Sequence, residues 1–119
     1  MSLASIIIPA KNEEQNIAKT ISAIRAEFDR QKINFEIVVV NDHSTDDTRK
    51  VVQELGQKDQ RIRVVDNTNA SGIGYAIRKG LDSYHGDMAV LAMADSSDDP
   101  HDMIQFVRAI DEGYDCCFG

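Results

Sequence analysis

Positive charge is scarce in this chain. Lys and Arg total 13 against 20 Asp and Glu, a formal charge of −7 over 119 residues. That balance argues against nucleic acid or an anionic membrane face as the main electrostatic partner. It suits a protein that needs a divalent cation before it accepts a phosphate. Long apolar runs are missing too. No stretch approaches the roughly 18 residues that span a bilayer, so nothing here is expected to be membrane-embedded. Cysteine is limited to one adjacent pair, Cys116-Cys117. Neighbouring cysteines seldom bridge, because their Cα atoms lie too close for relaxed disulfide geometry. The pair reads as two small apolar residues opening a strand, in a reducing, cytoplasmic setting. Without a signal peptide in view, the Asn69-Ala70-Ser71 glycosylation triplet reads as coincidence. No low-complexity linker divides the chain. His43, His85 and His101 are isolated and are expected at the surface.

What the chain does have is two apolar runs that end in carboxylates. Glu36-Ile37-Val38-Val39-Val40 runs into Asn41-Asp42-His43-Ser44-Thr45-Asp46-Asp47, and Met88-Ala89-Val90-Leu91-Ala92-Met93 runs into Ala94-Asp95-Ser96-Ser97-Asp98-Asp99-Pro100. Continuous apolar runs of this kind read as strands buried on both faces, the pattern of parallel sheets. Open α/β sheets bind ligands at the carboxyl ends of their strands. Carboxylates that converge there repel one another unless a cation or hydrogen-bond donors offset them.

The expected strand starts, Ser5, Glu36, Arg61 and Met88, recur at the ~30-residue spacing of βα units. The chain, 42% apolar, is read as one domain, residues 1–119, with a real core but short for a complete two-substrate enzyme. A first helix is expected after Asn12, a good N-cap with Gln15 three residues on, burying Ile17, Ile21, Ile24 and Phe28. A second, capped near Ser44, turns Val51, Val52 and Leu55 inward. Strand three is Ile62-Arg63-Val64-Val65. A third helix follows Gly72 and buries Ile73, Ile77, Leu81 and Tyr84. The fourth starts near Pro100, a favoured first-turn residue, and buries Met103, Phe106, Val107 and Ile110. A fifth strand opens at Tyr114, which suggests a fold continuing beyond Gly119. Right-handed crossovers then give a three-layer α/β/α arrangement around a mostly parallel sheet.

Four strand-end segments together resemble the family-2 glycosyltransferases, whose fold is GT-A, a Rossmann-like nucleotide-diphospho-sugar transferase fold. Ile8-Pro9-Ala10-Lys11-Asn12-Glu13-Glu14 is like the family's apolar-Pro-x-x-Asn-Glu opening. Val40-Asn41-Asp42-His43-Ser44-Thr45-Asp46-Asp47-Thr48 is close to its Val-Asp-Asp-Gly-Ser-x-Asp-x-Thr. Asn69-Ala70-Ser71-Gly72-Ile73-Gly74-Tyr75-Ala76 resembles its Asn-x-Gly-x-Gly-x-Ala helix start, and Met93-Ala94-Asp95 lies where the family carries Asp-x-Asp. The wording is similar to the branch that glycosylates polyprenyl or dolichyl phosphate.

The resemblance implies a nucleotide-binding set of Pro9, Ala10, Asn12, Glu13, Glu14, Asp42, Gly72, Arg78 and Ala94, and a metal ligand in Asp95 for Mg²⁺ or Mn²⁺. Glu13 or Glu14 could accept hydrogen bonds from a base edge, or both could simply complement a helix dipole. Asp42 matches the family's base-recognising aspartate. Asp46 and Thr48 read better as caps of the following helix. Gly72 and Gly74 let backbone approach a ligand with helix amides aimed at it, and Arg78, one turn on, could meet a diphosphate. Met93 departs from the motif, since a thioether is a poor ligand for a hard cation. Asp98 or Asp99 supplies the missing charge or caps the Pro100 helix.

The implied activity is inverting transfer of a sugar from a UDP- or GDP-sugar to a polyprenyl or dolichyl phosphate or a cell-envelope glycan, with no catalytic residue identified in this stretch. The acceptor side, and any peripheral association with the cytoplasmic face of a membrane, is expected beyond Gly119. The alternative is a nucleotide-sugar-binding module without turnover, degenerate at the metal site. Phospho-acceptor signalling fits poorly, because strand one ends in Pro9-Ala10-Lys11 rather than in acidic residues.

Overall fold

Ile6-Ile7-Ile8 and Val38-Val39-Val40 carry β-branched side chains whose restricted χ1 suits a pleated strand, and all six are fully buried. They form the two central strands of a computed structural model that describes residues 3–94 and 100–111. Strands and helices alternate: β1 (Ala4–Ala10), α1 (Ile17–Arg30), β2 (Phe35–Asn41), α2 (Thr48–Lys58), β3 (Ile62–Asp66), α3 (Ile73–Ser83), β4 (Met88–Leu91) and α4 (Pro100–Asp111). The sheet has the order β3-β2-β1-β4, with every pairing parallel.

Successive strand residues face opposite sides of the sheet, which divides the core in two. Ile6, Ile8, Ile37 and Val39 pack with Ile17, Ile21, Ile24 and Phe28 of α1, Val52 of α2 and Met103, Ile104 and Val107 of α4. Ile7 and Val40 face the other way, onto Ala76 of α3. The chain steps outward from β1 to β3, then crosses back over the sheet to β4. With right-handed crossovers, that reversal puts α3 on the face opposite α1 and α2. The three-layer parallel architecture expected from the sequence is the one observed.

Several local expectations need correction. The first helix starts at Ile17 with Asn16 as N-cap, not after Asn12. Asn12 sits at φ 55°, and its carboxamide oxygen is taken by the Thr45 amide of the next loop at 2.7 Å. Ser44 does not cap α2, whose N-cap is Asp47. The Asp46 carboxylate instead accepts from the Thr48 amide at 3.0 Å. Burial alone would raise the Asp46 pKa, but the Thr48 hydroxyl and amide hold it below the ordinary range.

The third helix turns a different stripe inward. Ile73, Leu81 and Tyr84 are exposed, while Ala76 and Gly80 are the buried residues. Close approach is the reason: a Cβ at Gly80 would lie 2.3 Å from Ile7 Cγ2, so only small side chains fit between α3 and the sheet. β4 ends at Leu91 rather than Met93, and Leu91 is half exposed, not buried on both faces. The fifth strand at Tyr114, the cysteine pair and residues 95–99 lie outside the described residues, as do the side chains of Phe106 and Ile110. The three histidines are exposed. Among the described residues no helix is long and apolar enough to cross a membrane.

At the amino ends of the strands, buried Glu36 accepts from Ser5 Oγ and the His85 amide, each at 2.6 Å, and from Arg63 Nε at 3.4 Å. Its burial would raise the pKa, but these donors hold it below the usual carboxylate range. This network leaves the opposite, carboxyl edge free for the site.

Candidate functional site

Three loops leave the carboxyl ends of β1, β2 and β3, and their polar residues join one loop to the next. The Asn12 amide donates to Ser44 Oγ at 3.0 Å, the Glu13 amide to Thr48 Oγ1 at 2.9 Å and the Glu14 amide to Asp46 Oδ2 at 3.3 Å. His43 Nε2 meets the Asn69 carbonyl at 2.6 Å, and Lys11 Nζ donates to Ser71 Oγ at 2.8 Å. Backbone amides that would otherwise be unpaired in irregular chain find partners this way. Much of the sequence's polar punctuation is thus spent on holding loops together.

Between these loops lies a pocket lined by Pro9, Ala10, Lys11, Glu13, Asp42, Ile73 and Met93. It opens beside the point where the strand order reverses, between β1 and β4, which is where open α/β sheets take their ligands. Asp42 is its organising residue. The parallel ladder continues one step past the strands: the Asp42 amide donates to Ala10 O at 2.8 Å and the Asn67 amide to Asn41 O at 3.0 Å. This puts Asp42 and Asn67 side by side at the ends of adjacent strands. Asn67 Nδ2 donates to Asp42 Oδ1 at 2.9 Å and the Gly72 amide donates to Oδ2 at 3.0 Å. Both side chains are almost fully buried. A buried carboxylate without such donors would be costly; this one is well supplied.

Of the residues singled out from the sequence, Pro9, Ala10, Glu13 and Asp42 come together in the pocket. Glu13 faces it and Glu14 does not line it, which separates two residues the motif leaves equivalent. Asn12 does not line the pocket, and its oxygen is committed to Thr45. Gly72 adopts φ 152°, a conformation open mainly to glycine, but its amide points to Asp42 instead of into open space. Gly74 has no positive φ, and a Cβ there meets no protein atom within 4 Å. Arg78 is exposed on α3, outside the pocket lining. Ala94 is buried, with its carbonyl accepting from Thr20 Oγ1 at 2.8 Å. Asp95, Asp98 and Asp99 lie outside the described residues.

Sequence reasoning missed Lys11, Asn67, Ser71 and the pocket role of Ile73. Asn67, one residue past β3, is the register mate of Asp42 one residue past β2, a relation that appears only in the folded chain. Periodicity alone assigns Ile73 to the core, whereas it is exposed at the pocket wall.

A divalent cation wants hard oxygen ligands, usually one or two carboxylates with phosphate oxygens and water completing the shell. Among the described residues no group of three His, Cys, Asp or Glu is placed to hold a metal. Met93, at the pocket wall, contributes only a thioether. The described residues therefore supply no preformed cage, and any ion site draws on Asp95 or its neighbours outside them.

A doubly wound parallel sheet with an acid-lined crevice at its reversal point is a nucleotide-binding architecture. The chain belongs to glycosyl transferase family 2, whose family model matches residues 5–119. It is 35% identical over 115 residues to dolichol-phosphate mannosyltransferase of Pyrococcus furiosus, an alignment covering 97% of this chain and 32% of that protein. Among solved structures it is similar to mannosyltransferase PcManGT from Pyrobaculum calidifontis in complex with GDP-Man and Mn²⁺, at 27% identity and TM-score 0.67, covering 79% of this chain and 28% of that one. It also resembles glucosyl-3-phosphoglycerate synthase from Mycobacterium tuberculosis in complex with Mn²⁺, UDP and phosphoglyceric acid, at 26% identity and TM-score 0.73, covering 92% and 39%. These neighbours share the GT-A fold expected from the strand-end motifs. The chain spans about a third of the length of the curated relatives it matches.

Proposed function

We propose that this chain is the donor-binding part of an inverting glycosyltransferase that takes a sugar from a UDP- or GDP-sugar to a polyprenyl or dolichyl phosphate. The observation that carries the proposal is the pocket itself: Pro9, Ala10, Glu13 and Asp42 converge at the switch point of a family-2 sheet. In this reading Asp42 accepts a hydrogen bond from the base, and Glu13 lies beside the base or ribose. Gly72 acts indirectly, by fixing Asp42, Asn12 by tying its loop to Thr45, and Arg78, outside the pocket lining, by reaching toward the diphosphate. Asp95 would hold Mg²⁺ or Mn²⁺ together with the diphosphate, and the ion so held would offset charge on the departing nucleoside diphosphate. A lipid-phosphate acceptor is already an anion and needs little help from a general base, which suits a stretch without a catalytic histidine. The related dolichol-phosphate enzyme supports that acceptor class.

Met93 at the pocket wall and the lack of a preformed ligand cluster among the described residues favour one second reading, a nucleotide-sugar-binding module without turnover. Thermal unfolding with UDP, GDP, UDP-glucose and GDP-mannose, with and without Mn²⁺, tests the proposal, because a ligand selective for the folded state raises apparent stability by mass action. A metal-dependent rise with at least one nucleotide is expected. No rise with any of them would contradict nucleotide binding. Metal-independent binding, with no transfer by the protein that contains this chain, would leave only the module.

A further inference from the structure

The acceptor capacity of Asp42 is already mostly used. Its Oδ1 receives Asn67 Nδ2 at 2.9 Å and shares the Gly72 amide at 3.3 Å. Its Oδ2 receives the same Gly72 amide at 3.0 Å and the Ser71 hydroxyl at 3.4 Å. An ionised carboxylate has about four lone-pair sites, so both sites on Oδ1 are engaged. The weakest of the four contacts is the one from Ser71. That residue is exposed, a hydroxyl hydrogen can turn about its C–O bond, and the Ser71 oxygen already accepts from Lys11 Nζ at 2.8 Å. Ser71 can therefore swing off Oδ2 without losing its other partner. Asn67 cannot follow: it is 3% exposed, its second amide hydrogen goes to Ala70 O at 3.0 Å, and its oxygen accepts from the Asn69 amide at 3.1 Å.

Bases differ in how many donors they bring to a carboxylate. Uracil and thymine present one imide N3–H between two carbonyls. Guanine presents N1–H and N2–H side by side and satisfies them on both oxygens of one carboxylate. We infer that Asn67 is a specificity-determining residue: by occupying Oδ1 it leaves Asp42 a single open site on Oδ2, which selects a uracil- or thymine-type nucleoside diphosphate over guanosine diphosphate. This inference rests on the nucleotide-donor proposal above and narrows it to one base class. Guanine could reach Oδ2 with one donor only, leaving the other buried and unpaired, which is the costly arrangement.

Calorimetric titration of this chain with UDP, dTDP, GDP and N3-methyl-UDP, all with Mg²⁺, tests the inference. UDP and dTDP should bind about tenfold or more tightly than GDP, and N3-methyl-UDP should lose about as much, since one unmet buried polar group carries that scale of penalty. Asn67→Ala opens Oδ1 and should narrow the UDP-to-GDP gap through a gain in GDP affinity; a general loss of structure would weaken both. Urea unfolding of the variant accompanies the titrations, and if Asn67→Ala does not fold, Asn67→Ser, whose shorter side chain also vacates Oδ1, takes its place. GDP bound as tightly as UDP, or N3-methyl-UDP bound as tightly as UDP, overturns the inference and leaves the nucleotide proposal standing. A folded Asn67→Ala chain with an unchanged ratio removes Asn67 from the role. No binding by any of the four nucleotides overturns inference and proposal together.

Discussion

Gly80→Ala adds one methyl group where α3 packs directly against the sheet. The new Cβ would lie 2.3 Å from Ile7 Cγ2 and 3.3 Å from Val40 Cγ2, whereas carbon atoms in good contact sit about 3.5–4.0 Å apart. Both neighbours are fully buried, β-branched and on central strands, so neither can rotate away cheaply. Either α3 moves outward by more than an ångström or Ile7 leaves its rotamer. An overlap of that size belongs toward the upper end of overpacking costs, about 3 kcal/mol. Alanine recovers about 1 kcal/mol over glycine within a helix, leaving a net loss of about 2 kcal/mol in urea unfolding. The cause can be separated from a general helix effect with Ile7→Ala, which removes the clashing methyl. Alone it should cost about 2–5 kcal/mol through the cavity it leaves. Combined with Gly80→Ala it should cost clearly less, because the new methyl fills part of that space. A Gly80→Ala chain as stable as wild type, with additive behaviour in the cycle, would refute the close-packing argument for α3.

Other outcomes follow from the same geometry. Gly74→Ala should be neutral or gain up to about 1 kcal/mol, since its Cβ meets open space and alanine favours helix, whereas Gly72→Ala at φ 152° should lose about 1–3 kcal/mol; equal effects in urea unfolding would contradict the assigned conformations. Asp59 is held by the Arg61 guanidinium, which lowers its pKa from 3.8 to about 2. A depressed carboxylate stabilises the fold above its unfolded pKa, so this contribution, about 1 kcal/mol after allowing for solvent screening, should be complete above pH 4 and fade between pH 4 and 2. Asp59→Asn should flatten that part of the stability–pH curve, and an unchanged slope there would count against the ion pair. Asp46→Ala should lower the urea midpoint through lost bonds to Thr48 and Glu14, and an unchanged midpoint would count against them.

The sheet was legible in the sequence because buried parallel strands are written in unbroken β-branched runs, and β1 and β2 have little else they can be. The three-layer order followed from spacing and crossover handedness. The helices were less legible where loops decide their ends. Asn12 looks like an N-cap, yet its side chain reaches Thr45, 33 positions away, and local propensity cannot register that contact. In α3 periodicity picked the bulky residues, but the sheet lies too close to accommodate them, and Ala76 and Gly80 turn inward instead. Asp42 stood out at a strand end. Its partner Asn67 did not, because its importance depends on the register of β2 against β3, which only the folded chain displays.

The central claim, that a nucleoside diphosphate binds where β1, β2 and α3 meet, is tested most directly by amide shift mapping. The ¹⁵N-labelled chain would be titrated with UDP in the presence of Mg²⁺. Saturable shifts should concentrate at Ala10–Glu13, Asp42, Asn67 and Ser71–Ile73, and should vanish in Asp42→Ala provided its remaining spectrum stays folded. Shifts clustered instead around Ser5, Glu36 and Gly86 at the opposite edge of the sheet, or no saturable shifts at all, would contradict the account.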